Sequence, residues 1–377
     1  MTTIKQHNLA IIFGGKSPEH EVSIVTAFQV SNWINRQKYQ CYFIYLDREN
    51  TPFLCPALFH KDPHNIITKV INKNNLVRFV KGAIEINQGL IKKKIDLDSA
   101  LLLTHGGTGE NGELQGTLDF FNIPYTGSNV LGSALGMDKV LTKDLLIRMG
   151  FNTAPYYWFN ISDFNNNQSE IINRLESEIK YPAFVKPASS GSSIGISKVT
   201  NRKDLIKAIN LASSFDNKIL VEKSIENAID INCAVIGENS LLASVCEQPI
   251  FEDNFLSFKE KYLKGGKTKG MAGLSRIIPA PIPQKISDEI RENSKIIFKK
   301  IVGSGMARID FLYQKKTGKI YPNEINTIPG SLAYYLWEAS GIKPQQLIER
   351  LVELAQERKN QKKNLKFSFE SKILDQK

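Results

Sequence analysis

The chain has 377 residues, 42% hydrophobic and 23% charged, with a formal net charge of +11. That balance is ordinary for a globular protein and leaves room for two or three domains. The positive excess is mostly scattered lysine, with clusters such as Lys92 to Lys94 and Lys359 to Lys366. No arginine-rich run alternates with aromatics, so a nucleic-acid partner is not indicated.

Cys41, Cys55, Cys233 and Cys246 show no Cys-x-x-Cys spacing, which argues against a disulfide framework. The five histidines form no paired ligand motif, so no zinc site is indicated. The opening Met1 to Asn8 is polar and unlike a signal peptide. No apolar run approaches the roughly 20 residues of a membrane span. The expected setting is cytoplasmic, with no membrane partner.

Leu9 to Phe13 reads as a strand buried on both faces. Gly14-Gly15 follow it. Ser17 can cap a helix with Pro18 at its first position, running to about Ile34. In that helix Glu19 is a first-turn acid that complements the dipole. A second strand covers 41–46. This opening predicts a doubly wound α/β unit, but without Gly-x-Gly-x-x-Gly it does not imply dinucleotide binding. Residues 47–98 are poorly patterned, with loops and a short strand or hairpin near 76–91.

Ala100 to Leu103 predicts another buried strand. His105 to Gly116 follows at its carboxyl end, where ligands of open α/β sheets bind. The glycines there permit close approach of backbone to a ligand. The helix from about Leu114 to Phe121 offers N–H groups to an anion. A strand and turn cover 123–130, and Leu131 to Met149 reads as one helix with Lys139 on its surface. A domain boundary falls near 136.

The next unit has a strand at 156–159, a helix near 168–178, and a strand within Tyr181 to Pro187. Lys186 stands in apolar company there, and burying an ammonium costs several kcal/mol unless it is paired. The Gly/Ser-rich stretch Ala188 to Val199 joins two strands, which is not the Walker A arrangement. Taken alone it reads as a flexible hairpin. A helix at 202–213, a strand Lys218 to Lys223 and alternating strands over 229–248 follow. Residues 251–276 are polar and unpatterned, either a lid or an insertion.

A helix at 285–301 leads to residues 306–330, a β-hairpin turning at Lys315 to Gly318. Arg308 and Asp310 share one face of its first strand, Glu324 and Asn326 one face of the second. If the faces coincide, they make either a solvated charged surface or an oxygen-rich site for Mg²⁺ with phosphates. Helices at 334–339 and 344–355 follow, and 358–377 reads as a basic tail.

Several of these pieces recur in a fixed order. They are Phe13-Gly-Gly-Lys-Ser-Pro-Glu19-His-Glu-Val-Ser23, His105 to Gly116, Met137-Asp-Lys139, Phe184-Val-Lys186-Pro, Gly191-Ser-Ser-Ile-Gly195, Lys261-Tyr262, Arg308-Ile-Asp310 and Asn323-Glu324-Ile-Asn326-Thr-Ile-Pro-Gly330. Together they resemble the D-alanine–D-alanine ligase family of the ATP-grasp superfamily, over roughly residues 9–356. The resemblance implies an α/β chain, α+β toward its C-terminus, with an ATP-grasp fold behind an N-terminal doubly wound domain. The expected divisions are 1–136 (N-terminal), 137–225 (central), 226–357 (C-terminal, with lid 251–276) and the tail 358–377.

It also implies an enzyme that joins two D-alanines, using ATP and an acylphosphate, for peptidoglycan precursor synthesis. The alternatives are a related ligase taking D-lactate, D-serine or another second substrate, and a silent ATP-binding scaffold. On this resemblance Lys139, Lys186 and Lys261 hold phosphates, with Ser193 beside them. Glu222, Lys223 and Ile225 meet adenine, and Asp230 the ribose. Asp310, Glu324 and Asn326 hold two Mg²⁺ or Mn²⁺ ions. Arg308 and the Gly330 N–H stabilise the oxyanion. Glu19 forms a triad with Ser192 and Tyr262 and pairs with the first D-alanine's ammonium, near Val22 and His105. Ser331 to Tyr335 departs from the family's usual Phe/Met-Thr and nearby serine, so Ser331 or Tyr335 is expected to take the second substrate's carboxylate. A homodimer is the expected assembly.

Overall fold

A computed structural model describes residues 6–55, 69–88, 91–250, 275–363 and 365–366. The N-terminal part begins with β1 (His7–Gly14), β2 (Tyr39–Leu46) and β3 (Pro52–Cys55). A small antiparallel sheet of β4 (Val77–Val80), β5 (Ala83–Gln88) and β6 (Ile91–Asp96) stands where a short strand or hairpin is expected. β7 (Ser99–Leu102) then returns to the first sheet, whose order is β3-β2-β1-β7. β1 lies between two parallel partners, β2 and β7, which is why its apolar run is continuous.

The first helix is His20–Ser31 and starts later than the sequence predicts. Ser17 does not cap it. Its hydroxyl accepts from the Glu19 N–H at 3.0 Å, forming a tight turn that delivers Glu19 to the cap position. The Glu19 side chain makes no capping bond.

The expected strand at 123–130 is reduced to one parallel bridge between Tyr125 and Ala100. The expected single helix over 131–149 is two helices, Val130–Met137 and Lys139–Arg148. Asp138 breaks the run, because its side chain caps the second helix by accepting from the Val140 and Leu141 N–H groups. Lys139 is therefore a first-turn residue and is buried.

The central sheet comprises β8 (Tyr156–Asn160), β9 (Ala183–Pro187), β10 (Ser197–Val199) and β11 (Lys218–Lys223), ordered β10-β9-β11-β8. Helices Ile161–Asn166 and Gln168–Arg174, continued by a wide turn Leu175–Ile179, replace the single helix expected near 168–178. With helix Arg202–Ala212 they cover the sheet's core of Val185, Val199, Leu205, Ile209 and Ile219.

The C-terminal sheet is antiparallel and ordered β14-β13-β12-β15-β16. Its strands are β12 (Ala228–Gly237), β13 (Leu241–Pro249), β14 (Arg276–Ile277), β15 (Gly305–Gln314) and β16 (Lys319–Asn326). Helix Gln284–Lys300 covers one face, burying Ile290, Ile297 and Phe298. The other face is polar and lines the site.

The last helix, Pro344–Lys362, runs past the point where a tail was expected. Leu347, Leu351 and Trp337 join one core with Leu9, Ile11 and Leu101 of the N-terminal sheet. Each such side chain contributes about 1.5–3 kcal/mol by burial, so the two ends of the chain are held together apolarly. Arg358 belongs to that helix. It is buried, donates to the Tyr125 carbonyl at 2.6 Å and to Ser304 Oγ at 3.0 Å, and lies over the Tyr125 ring.

Candidate active site

The hairpin faces coincide. Across β15 and β16, Arg308 stands opposite Asn326 and Asp310 opposite Glu324. Arg308 binds Asp310 through two bonds, Nε to Oδ1 at 2.6 Å and Nη2 to Oδ2 at 2.7 Å. Asn326 Nδ2 donates to the same Asp310 Oδ2 at 3.1 Å. Burial disfavours the Arg308 cation, yet Asp310, together with Tyr335 and Glu247 nearby, raises its pKa well above the ordinary value. Lys139 reaches the hairpin from its helix, with Nζ 3.3 Å from Glu324 Oε1 and 2.6 Å from the Ser190 carbonyl. The solvated-surface reading of the hairpin therefore fails.

Two clefts meet at this hairpin. The larger, about 460 Å³, lies between the central and C-terminal sheets and is lined by Lys186, Ser193, Glu222, Lys223, Ile225, Asp230 and Asp310. The smaller, about 40 Å³, faces the N-terminal sheet and is lined by Glu19, His105, Lys139, Ser192, Asn326 and Gly330. Arg308 and Glu324 line both.

The smaller cleft is closed around Glu19. The Ser192 hydroxyl donates to Glu19 Oε1. Gly106 and Gly191 approach the same carboxylate so closely that a Cβ on either would fall 2.4 Å from Glu19 Oε2. Ser192 and Ser193 both hold left-handed backbone, φ 50° and 60°, so the Gly/Ser loop is a shaped turn and not a plain hairpin end.

His105 is buried with both ring nitrogens engaged, Nδ1 2.9 Å from the Ile328 carbonyl and Nε2 2.9 Å from Thr26 Oγ1. The carbonyl can only accept, so Nδ1 carries the proton and Nε2 accepts from Thr26. Burial pushes the imidazole down to about 4, and it is neutral at pH 7. Glu110 ties the same loop to the hairpin's exit, accepting from the Gly106 N–H at 3.0 Å and the Ile328 N–H at 2.9 Å.

The Lys186 problem is resolved by Glu222. Lys186 pairs with Glu222 Oε1, and Lys143 lies 2.7 Å from Oε2. Burial works against the carboxylate, but the two ammoniums prevail and hold Glu222 down to about 2. Glu222, expected at the adenine, thus spends its carboxylate on two lysines.

Three expected residues stand apart. Val22 is buried in its helix and lines neither cleft. Ser331 lies in a turn of three left-handed residues, Ser331, Leu332 and Ala333 (φ 50°, 55° and 46°). Its hydroxyl donates to Gln29 Oε1 at 2.6 Å. Tyr335 is buried with its hydroxyl 3.0 Å from Glu247 Oε1. Neither Ser331 nor Tyr335 is among the described residues lining these two clefts. Lys261 and Tyr262, with nearly all of the expected lid, lie outside the described residues.

Sequence reasoning gave no role to Lys143, Glu110, Glu247 or Arg276. Lys143 follows Lys139 by one helical turn, a spacing that places both on one face. Nothing local marks Glu110 as tied to Thr327 and Ile328, or Glu247 as tied to Tyr335 and Arg276, because those partners come from distant segments.

Comparison with known proteins agrees with the order of these elements. The family profile described as D-ala D-ala ligase N-terminus matches residues 8–128, and that described as D-ala D-ala ligase C-terminus matches 145–353. A D-alanine–D-alanine ligase of Thermosipho melanesiensis is 40% identical over 359 residues, covering 94% of this chain and 95% of that protein. One from Thermosipho africanus is 35% identical over 371 residues, covering 98% of each. Among solved structures, the D-alanine–D-alanine ligase of Coxiella burnetii has a TM-score of 0.79 at 26% identity, over 96% of this chain and 97% of that one. A D-Ala:D-Ser ligase of Enterococcus faecalis has a TM-score of 0.78 at 27% identity, over 93% of this chain and 100% of that one.

Proposed function

The chain belongs to the D-alanine–D-alanine ligase family, and we propose that its two joined clefts carry out the ATP-dependent union of two D-alanines. The observation that carries this reading is that Arg308 and Glu324 line both clefts at once. A ligase that activates a carboxylate on one substrate and attacks it with another needs such a shared wall.

In this reading ATP occupies the larger cleft, with Lys186 and Lys139 near its phosphates. The first D-alanine occupies the smaller one, its ammonium held by Glu19. A carboxylate oxygen of that D-alanine attacks the γ-phosphorus. An O–P bond forms, ADP leaves, and an acylphosphate results. The amine of the second D-alanine then attacks the carbonyl carbon. The C–N bond forms, phosphate departs with the former carboxylate oxygen, and a proton is lost from the amine. Arg308 and the Gly330 N–H face the oxygen on which charge develops. Phosphoryl transfer asks the protein mainly for positioning and charge neutralisation. Buried cations on a closed carboxylate cradle supply both.

Asp310, Glu324 and Asn326 would hold Mg²⁺ with the phosphates. Among the described residues no three His, Cys, Asp or Glu side chains gather as a metal cluster. The candidate set is two carboxylates and an amide oxygen, an all-oxygen set that suits a hard cation sharing its sphere with phosphates. Mg²⁺ so placed would neutralise phosphate charge. A cytoplasmic homodimer serving peptidoglycan precursor synthesis completes the proposal. Among the described residues no helix is long and apolar enough to cross a membrane.

The test is phosphate release from ATP with a panel of D-amino acids, with and without a Mg²⁺ chelator, and the product identified by mass. D-alanine-dependent release with a D-alanyl-D-alanine product supports the reading. Its absence in the presence of Mg²⁺ overturns it.

A further inference from the structure

The second substrate's carboxylate has no evident anchor at the residues the sequence singles out. Ser331 donates to Gln29, Tyr335 to Glu247, and neither is among the described residues lining the two clefts. The structure places a cation beside Tyr335. Arg276, on β14, lies with its guanidinium carbon 3.6 Å from the centre of the Tyr335 ring. Its Nη1 is 3.4 Å from Glu247 Oε2. It lines the larger cleft together with Arg308 and Asp310.

Register explains this placement. Across the C-terminal sheet Glu247 faces Asn232, Asn232 faces Asp310, and Asp310 faces Glu324. These four form one polar row on the cleft face. β14 pairs with β13 so that Arg276 faces Pro249, two residues beyond Glu247. Arg276 thus stands at the end of the row that also carries the Arg308 partner Asp310. Arg308 and Arg276 both act electrostatically on Tyr335.

The lysines lining the two clefts are Lys139, Lys186, Lys198 and Lys223. Lys186 pairs with Glu222, Lys139 with Glu324, Lys223 donates to the Tyr181 carbonyl at 2.8 Å, and Lys198 lies over the Phe184 ring. All four come from the central part of the chain. Arg276 comes from the C-terminal sheet, on the side of Arg308.

Resting on the ligase reading above, we propose that Arg276 binds the carboxylate of the second D-amino acid and so determines which acceptor is joined. A guanidinium presents paired N–H donors that match a carboxylate. The stack on Tyr335 and the contact with Glu247 fix its plane before substrate arrives, which lowers the ordering cost of binding. Tyr335 then acts through Arg276 as a positioning residue: its ring supports the guanidinium while its hydroxyl holds Glu247.

The test compares D-alanine with D-alaninamide as acceptor, each with D-alanine as donor; the two products differ in mass. Arg276→Gln is expected to shrink the wild-type preference for the carboxylate acceptor by about 10- to 100-fold, through acceptor KM, with KM for ATP unchanged. Arg276→Lys, which keeps the charge but not the fork, should fall between. Tyr335→Phe should keep the preference within about threefold, because the supporting ring remains. Thermal midpoints are read for every variant. If wild type ligates and the Arg276 variants lose both acceptors equally, or lose ATP affinity instead, this assignment is overturned and the ligase reading stands. If wild type forms no dipeptide, the ligase reading itself fails and takes the assignment with it.

Discussion

The Ser192 hydroxyl donates to the Glu19 carboxylate across 173 residues of chain. Glu19 comes from the turn that enters the first helix, Ser192 from the loop between β9 and β10. This contact joins the N-terminal sheet to the central one at the smaller cleft. Gly106 and Gly191 leave no space for a methyl group beside it.

Gly191→Ala tests that closeness. Its φ is not among the positive ones, so the added methyl acts by crowding Glu19 and not by backbone strain. Displacement of about 1 Å at a reacting centre can cost about 100-fold in rate. The expected result is a fall of about 10- to 100-fold in kcat/KM for D-alanine, with KM for ATP changed far less. Steady-state kinetics with each substrate varied in turn measures it.

Glu222→Gln tests the buried charge cluster. Breaking a buried pair from one side leaves Lys143 and Lys186 uncompensated and costs about 3–5 kcal/mol. The sign with pH is also fixed. The folded pKa of about 2 lies below the ordinary 4.5, so the stabilisation is present above pH 4.5 and is lost as pH falls toward 2. Wild type should lose stability through that window, and Glu222→Gln should lose less. Denaturant midpoints at stepped pH values give the comparison.

His105 gives a second, separate window. Its folded pKa of about 4 lies below the ordinary 6.5, so the unfolded chain takes up the proton first. Stability contributed by the neutral ring is present above pH 6.5 and is lost as pH falls from 6.5 toward 4, by about 3 kcal/mol in all. His105→Asn can keep a donor toward Ile328 and an acceptor toward Thr26 but does not titrate. Its stability should be flatter across that window, which equilibrium unfolding between pH 7 and pH 4 will read.

Much of this site was legible because it obeys local rules. Arg308, Asp310, Glu324 and Asn326 needed only strand alternation and a Gly-containing turn, and the register brought their faces together. Lys186 declared itself as an ammonium in an apolar strand, although its partner was not named as one. What escaped depends on distance or on a competing local bond. Lys139 looked like a surface residue because two helices in succession mimic one long amphipathic run. The signal that separates them is Asp138, a cap residue in mid-run. Ser17 looked like a cap because a serine before a proline fits that pattern, but its hydroxyl took the nearer Glu19 N–H. Arg358 sat in a lysine-rich stretch and looked like tail; its acceptors are carbonyls and a hydroxyl 54 or more residues away. Ser331 and Tyr335 were expected at a substrate carboxylate, and nothing local signals that their hydroxyls meet Gln29 and Glu247, far away along the chain.

In the proposed reaction one carboxylate is activated at the wall shared by the two clefts. D-alanine labelled with ¹⁸O in its carboxylate, turned over with unlabelled ATP in ordinary water, tests it most directly. Each phosphate released should carry one ¹⁸O from the donor's carboxylate, because that oxygen attacks the γ-phosphorus and leaves with it. Dipeptide formed with unlabelled phosphate would contradict it.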